Sequence, residues 1–207
     1  MSKVFMASVA GLGTAAAGGG FYLLKDDLKS SPAKATIRDK LKEERFEILD
    51  SNSPSWESVR TQYNSSRSTS SKAFLTHSKD IEVGELKKLC EDNLSKDEFD
   101  PSLYSKVKRW CITPVTVSKH LEKWSMTSLP TDNTQNSKQA EWTKLAEKYD
   151  SATNKISGLA TLETKKWENL ASKCKEIGDK KNHDDDFDSS VESYKVWCTE
   201  EGVKSLN

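Results

Sequence analysis

A chain of 207 residues, 31% charged and only 34% apolar, has room for one or two small domains and little apolar material to bury in them. Its 32 bases balance 32 acids, so it lacks the basic excess or stripe of a nucleic-acid binder. Six Trp, five Tyr and six Phe still supply enough large side chains for a small core.

The apolar residues are unevenly spread. Val4 to Leu24 is an uncharged run of 21 residues that holds five of the nine glycines. At about 1.5 Å per residue a helix over this run spans about 31 Å, against about 30 Å for a hydrocarbon core. Residues 1–25 are therefore expected to form a transmembrane signal-anchor, with the N-terminus inside the cell. A cleaved signal peptide, cut near Ala15-Ala16-Ala17, is the competing reading. Residues 26–35, with Ser30-Ser31-Pro32, read as a polar spacer.

From there the chain reads as one unit written twice, over 36–114 and 115–207. Thr36-Ile37, Leu41, Phe46 and Leu49 match Thr116-Val117, Leu121, Met126 and Leu129 at an offset of 80. Trp56, Val59 and Tyr63 match Trp142, Leu145 and Tyr149 at 86, and Leu86 and Cys90 match Leu170 and Cys174 at 84. Phe99-Asp100 matches Phe187-Asp188 at 88, and Trp110-Cys111 matches Trp197-Cys198 at 87. Such self-similarity at nearly one period is the mark of an internal repeat.

Within each copy the apolar spacing is helical. Ser53-Pro54 is expected to open a helix carrying Trp56, Val59 and Tyr63 at i, i+3 and i+7. Val83, Leu86, Leu89-Cys90 and Leu94 continue the pattern. Asp100-Pro101 starts a helix that ends at Trp110-Cys111, and Asp188 is expected to cap the one that ends at Trp197-Cys198. Each copy so gains four short helices, with a short strand over Phe46 to Leu49 as an alternative. The fold class is mainly α: a transmembrane helix, then two tandem repeats of a small helical unit. Trp56, Trp110, Trp142 and Trp197 recur at equivalent places and are expected in the core. Trp124 and Trp167 have no aromatic counterpart and are the candidates for exposed contact.

Four cysteines behind an export-like N-terminus suggest disulfides. Cys90 and Cys111 lie 21 residues apart, Cys174 and Cys198 24 apart. Pairing within each copy is the expectation, clipping its third helix to its fourth at about 3 kcal/mol per bridge. Two other connectivities exist, and in a cytosolic chain all four would be reduced core thiols. No two cysteines have zinc-knuckle spacing.

His183 to Asp188 is the densest acidic run. Asp184, Asp186 and Asp188 alternate as in a calcium loop, but Ser189 replaces the loop's glycine and Lys195 its final glutamate. A solvated loop is the better account. His77, His120 and His183 occupy non-equivalent places, no nucleophile has a motif around it, and the remaining glycines are scattered. No catalytic residue, cofactor or metal is therefore expected. Asn64-Ser65-Ser66 and Asn93-Leu94-Ser95 match the N-glycosylation pattern.

Gly11 to Leu24, Leu86 to Cys90, Trp110 to Thr113 and Trp197 to Thr199 together make the chain resemble the paralogous, uncharacterised membrane-anchored proteins of haemotropic mycoplasmas. The resemblance implies a wall-less bacterium whose anchored proteins face host cells, and it supplies no catalytic residues. The expected function is that of a non-enzymatic surface protein in host contact or antigenic diversity. Its partners would be the membrane, through residues 4–24, and a host-cell surface protein. The alternative is an assembly subunit of a membrane complex with its bulk in the cytosol.

Overall fold

The computed structural model describes residues 34–76, 78–97, 99–132 and 137–206. The expected anchor over Val4 to Leu24 and His77 lie outside these residues. No helix among the described residues is long and apolar enough to cross a membrane. Those residues form nine helices, with isolated bridges and no strand.

Local signals start most of the helices. Thr36 caps α1 (Ile37–Glu43) in a capping box with Asp39, and Thr116 caps α5 (Val117–Glu122) through Lys119 N–H. Asp100 caps α4 (Pro101–Trp110), with proline at its first position. Two expected starts move. Ser53-Pro54 lies in a turn, and α2 (Trp56–Ser66) begins after Ser55. Helix α8 (Phe187–Trp197) starts at Phe187, so Asp188 is a first-turn residue and not its cap. The remaining helices are α3 (Val83–Leu94), α6 (Gln139–Tyr149), α7 (Lys166–Gly178) and α9 (Glu200–Ser205). Helix α9 is one more than the spacing predicts. Thr199 caps it, and it packs on α8 and α6.

Each of α1 and α5 ends in a left-handed residue, Arg45 and Ser125, both at φ 60°. The reversed chain lets Phe46 N–H reach Leu41 O and Met126 N–H reach Leu121 O, closing each helix with a Schellman-type turn. The segment that follows meets the end of a later helix. Leu49 N–H donates to Cys111 O and Thr113 N–H to Glu47 O; Leu129 N–H donates to Cys198 O and Glu200 N–H to Thr127 O. Phe46 to Leu49 makes only this bridge, centred on Ile48 and Ile112, and not a strand.

The two halves place their large residues by the same contacts. The indole N–H of Trp56 donates to Asp50 O at 2.8 Å, and that of Trp142 to Pro130 O at 2.9 Å. Trp110 donates to Lys72 O and Trp197 to Asn154 O, each at 2.7 Å. Tyr63 meets Trp110 edge-on at 5.4 Å, and Tyr149 meets Trp197 at 4.8 Å. All four indoles are buried. The disulfides are Cys90–Cys111 and Cys174–Cys198, with Cα atoms 5.4 and 5.6 Å apart. They clip α3 to the end of α4 and α7 to the end of α8.

A single continuous core runs through both halves. Two details depart from the sequence reading. Phe99 precedes α4 by two residues and is 76% exposed, whereas Phe187 opens α8 and is 2% exposed. Phe187 stands ten residues before its tryptophan and Phe99 eleven, and only Phe187 falls within a helix. Asn64 is buried and spends its side chain on Ile81, accepting from its N–H and donating to its carbonyl, so it offers no glycosylation site in the folded chain.

Truncating Trp110 or Trp197 to Ala deletes a buried ring from one core and orphans a loop carbonyl. Each change is expected to cost about 3–5 kcal/mol, read as a lower urea midpoint at unchanged slope.

Candidate functional site

The most unusual chemistry lies on the seam where the two halves meet. Asn182, buried in the loop between α7 and α8, closes it. Its amide donates to Lys108 O and Arg109 O at the end of α4, and its side-chain oxygen accepts from Val115 N–H at 3.0 Å. Its own N–H donates to Val115 O. One side chain therefore pins the short junction between the halves to the end of α4.

Around it the acidic run of residues 184–188 meets cations. Asp185 takes Lys72 Nζ at 2.5 Å and Arg109 at 2.9 Å, and Asp188 takes Lys108 Nζ at 2.6 Å. Asp186 pairs with Lys180, and Asp184 accepts from Lys181 N–H. The hydrogen bond from Lys72 holds the Asp185 carboxyl below the usual range. The run remains a solvated loop, with Asp185 and Asp188 more than half exposed, but these two carboxylates also reach cations of the other half. No cluster of His, Cys, Asp or Glu among the described residues is arranged to hold a metal ion.

The seam also carries an aromatic stack. The turn at Arg45 delivers Phe46 flat onto His120 of α5, centroids 4.1 Å apart and planes within 4°. Phe187 leans on both rings, at 6.3 and 6.2 Å. The Arg45 guanidinium lies 4.4 Å from the Trp124 ring and donates to Lys123 O, while Lys123 pairs with Glu47 at 2.7 Å. His120 is only 5% exposed, and its Nδ1 has no hydrogen-bond partner. Burial, then the nearby Lys123, Lys195 and Lys108, push its pKa down to about 4, with Asp188 opposing. At neutral pH the ring is uncharged. It lines a cleft of about 270 Å³ with Phe46, Phe187 and Trp124. A larger cleft, about 420 Å³, lies beside the first disulfide between Trp56 and Leu94; no unpartnered buried atom faces it.

Trp56, Trp110, Trp142 and Trp197, the expected core residues, are all buried. Of the two contact candidates, Trp124 stands on the seam at 42% exposure, and Trp167 is half-buried against the core. Phe46, His120, Asn182 and Arg109 were not legible as a group. At the offset of 80, His120 corresponds to Lys40 and Phe46 to Met126, so comparing the two segments pairs neither ring with an aromatic counterpart.

No protein-family model matches the chain, and no curated protein or solved structure matches it.

Asn182→Ala strands Val115 N–H and two carbonyls, and is expected to lower unfolding free energy by about 2–3 kcal/mol in urea titration. His120 gives a pH signature. Its folded pKa of about 4 lies below the ordinary 6.5, so between these values the unfolded chain binds more protons. Stability should be full above pH 6.5 and fall by up to about 3 kcal/mol as pH drops towards 4. A series of urea midpoints over this window should show the slope in the natural chain and a shallower one in His120→Phe, where His183, its pKa also lowered by burial, still contributes.

Proposed function

We propose that this chain is a non-enzymatic, membrane-anchored surface protein that displays two tandem copies of one helical unit outside the cell. The observation that carries the reading is the pair of disulfides, which consumes all four cysteines. Thiols in a reducing cytosol are kept open, so a chain that depends on two bridges belongs in an oxidising place. Val4 to Leu24 supplies the anchor on this reading, and residues 26–35 the spacer.

The duplication is supported by paired contacts of unlike sequence. The bridge Thr36–Asp97 has its counterpart in Thr116–Lys181, and Ile48–Ile112 in Ser128–Thr199. Ile81 N–H donates to Asn64 Oδ1, and Leu162 N–H to Asp150 Oδ1, each at 3.0 Å. Backbone geometry retained where the side chains differ is what descent from one unit leaves behind. Exposed apolar residues on loops and at the seam, Leu75, Phe99 and Trp124, offer contact points for a host-cell partner. The resemblance to mycoplasma surface paralogues points the same way, towards host contact or antigenic diversity.

Two measurements on native cells test it. Maleimide added to the denatured, unreduced protein should leave its mass unchanged, and after reduction it should add four labels. Protease applied to intact cells should cut within residues 34–206. Labelling without reduction, together with survival of this region while other surface proteins are cut, would instead fit an assembly subunit facing the cytosol.

A further inference from the structure

We propose that Phe99 is a second membrane contact: its loop lies against the leaflet that carries the anchor, with the ring among zwitterionic lipid headgroups and the tops of their acyl chains. This rests on the reading of Val4 to Leu24 as a membrane anchor.

The first ground is where the chain enters the folded part. The described residues begin at Lys34, and three ties hold that point to the loop after α3. Lys34 Nζ lies 3.7 Å from Asp97, Thr36 bridges Asp97, and Ile37 N–H donates to Lys96 O at 2.9 Å. Phe99 follows two residues on. The uncharged run closes at Leu24, ten positions before Lys34. Ten residues of chain span at most about 35 Å. Whatever path residues 25–33 take, the loop that carries Phe99 is kept near the leaflet. A weak contact made on such a tether is an intramolecular one, so a single ring suffices.

The second ground is the ring itself. Phe99 is 76% exposed, more than any other large apolar side chain among the described residues. Its backbone is fixed on both sides. Phe99 N–H donates to Asp97 Oδ1 at 2.9 Å, and Asp100 accepts from Leu103 N–H at 3.0 Å as the cap of α4. Lys34 and Lys96, at the same ties, are exposed, and their apolar stems can lie along a lipid surface with the ammonium groups among the headgroups.

The third ground is the second half. Its equivalent bridge, Thr116–Lys181, opens a loop that the first half covers. Asn182 bonds the carbonyls of Lys108 and Arg109, and Phe187 leans on Phe46 and is 2% exposed. What precedes the second half in the chain is the first half. What precedes the first half is the anchor, and the surface that an anchor brings is the membrane. Leu75 and Trp124 then remain for a host-cell partner.

The test uses the full chain with both disulfides formed, one copy per phosphatidylcholine nanodisc, and a lipid carrying a nitroxide near its headgroup. Resonances of the phenylalanine rings and of the backbone amides are followed. The ring signals of Phe5 and Phe21, in the anchor run, and of Phe99 should each lose at least half their intensity to the nitroxide. Phe99 should keep this loss in about 0.5 M sodium chloride, where attraction between charges is screened. Phe99→Ser changes only an exposed ring, and should reduce the broadening at the Leu103 amide by at least about threefold while that of Phe21 stays as it was. Broadened Phe5 and Phe21 beside an unaffected Phe99 overturn the proposal and leave the anchor standing. Unaffected Phe5 and Phe21 overturn the anchor and the proposal with it. A Phe99 effect lost in salt belongs to charge, and one present only in discs with two copies belongs to a second copy of the chain. Either overturns the proposal, as does a Leu103 signal that Phe99→Ser leaves unchanged.

Discussion

A tryptophan followed directly by a cysteine at the end of a helix makes two demands at one point. The indole must be buried with a carbonyl for its N–H, and the sulfur must find another sulfur with Cα atoms within about 7 Å. Trp110-Cys111 and Trp197-Cys198 meet both. Each indole takes its carbonyl from a loop outside the helical pairs, and each sulfur takes its partner from the preceding helix. Loop, third helix and fourth helix are thereby fixed with respect to one another. The carbonyls of Cys111 and Cys198 then receive Leu49 and Leu129, which brings in the segment after the first helix. The rest of each half is arranged around this junction.

Between the halves a different physics operates. Each half closes on itself through apolar burial and covalent bonds, whereas the seam combines a stacked Phe46–His120 pair with ion pairs and the Asn182 clasp. Exposed ion pairs are weak, from about zero to 1 kcal/mol each. The directional burden therefore falls on Asn182, whose three side-chain hydrogen bonds are shielded from water. Such groups tolerate only one register, so the clasp sets how α4 meets the loop before α8 while the apolar contacts supply the energy.

The helices and bridges were legible because their causes are local. Thr36, Thr116 and Asp100 are caps within three residues of what they cap, and Trp, Tyr and Leu at helical spacing declare a buried face. The cysteine pairing followed from the doubled pattern. Where one residue of length changes, the reading slips: α8 begins one residue earlier relative to its Trp-Cys end than α4 does, and Phe187 stands one residue nearer that end than Phe99, so only Phe187 enters a helix. The seam was illegible for another reason. Arg109 and Asp185, or Phe46 and His120, lie some 75 residues apart, and no periodicity links them. Helix α9 was missed because its burial depends on a tertiary fit. A Cβ on Gly202 would fall 2.2 Å from Val196 O, and a glycine's value in such a contact leaves no trace in a hydropathy pattern.

The side chain of Asn64 carries a consequence for how the protein can be produced. Folded, its amide holds both polar groups of Ile81 out of solvent's reach. During passage through a eukaryotic secretory route, the sequon is presented to the glycosylating enzymes before that contact forms. A sugar attached then occupies the nitrogen that should bond Ile81 and cannot be accommodated in the closed core. Folding and modification thus compete for one atom. An oxidising bacterial compartment, or a secretory host given a chain in which Ser66 is replaced by Ala, supplies the disulfides without that contest.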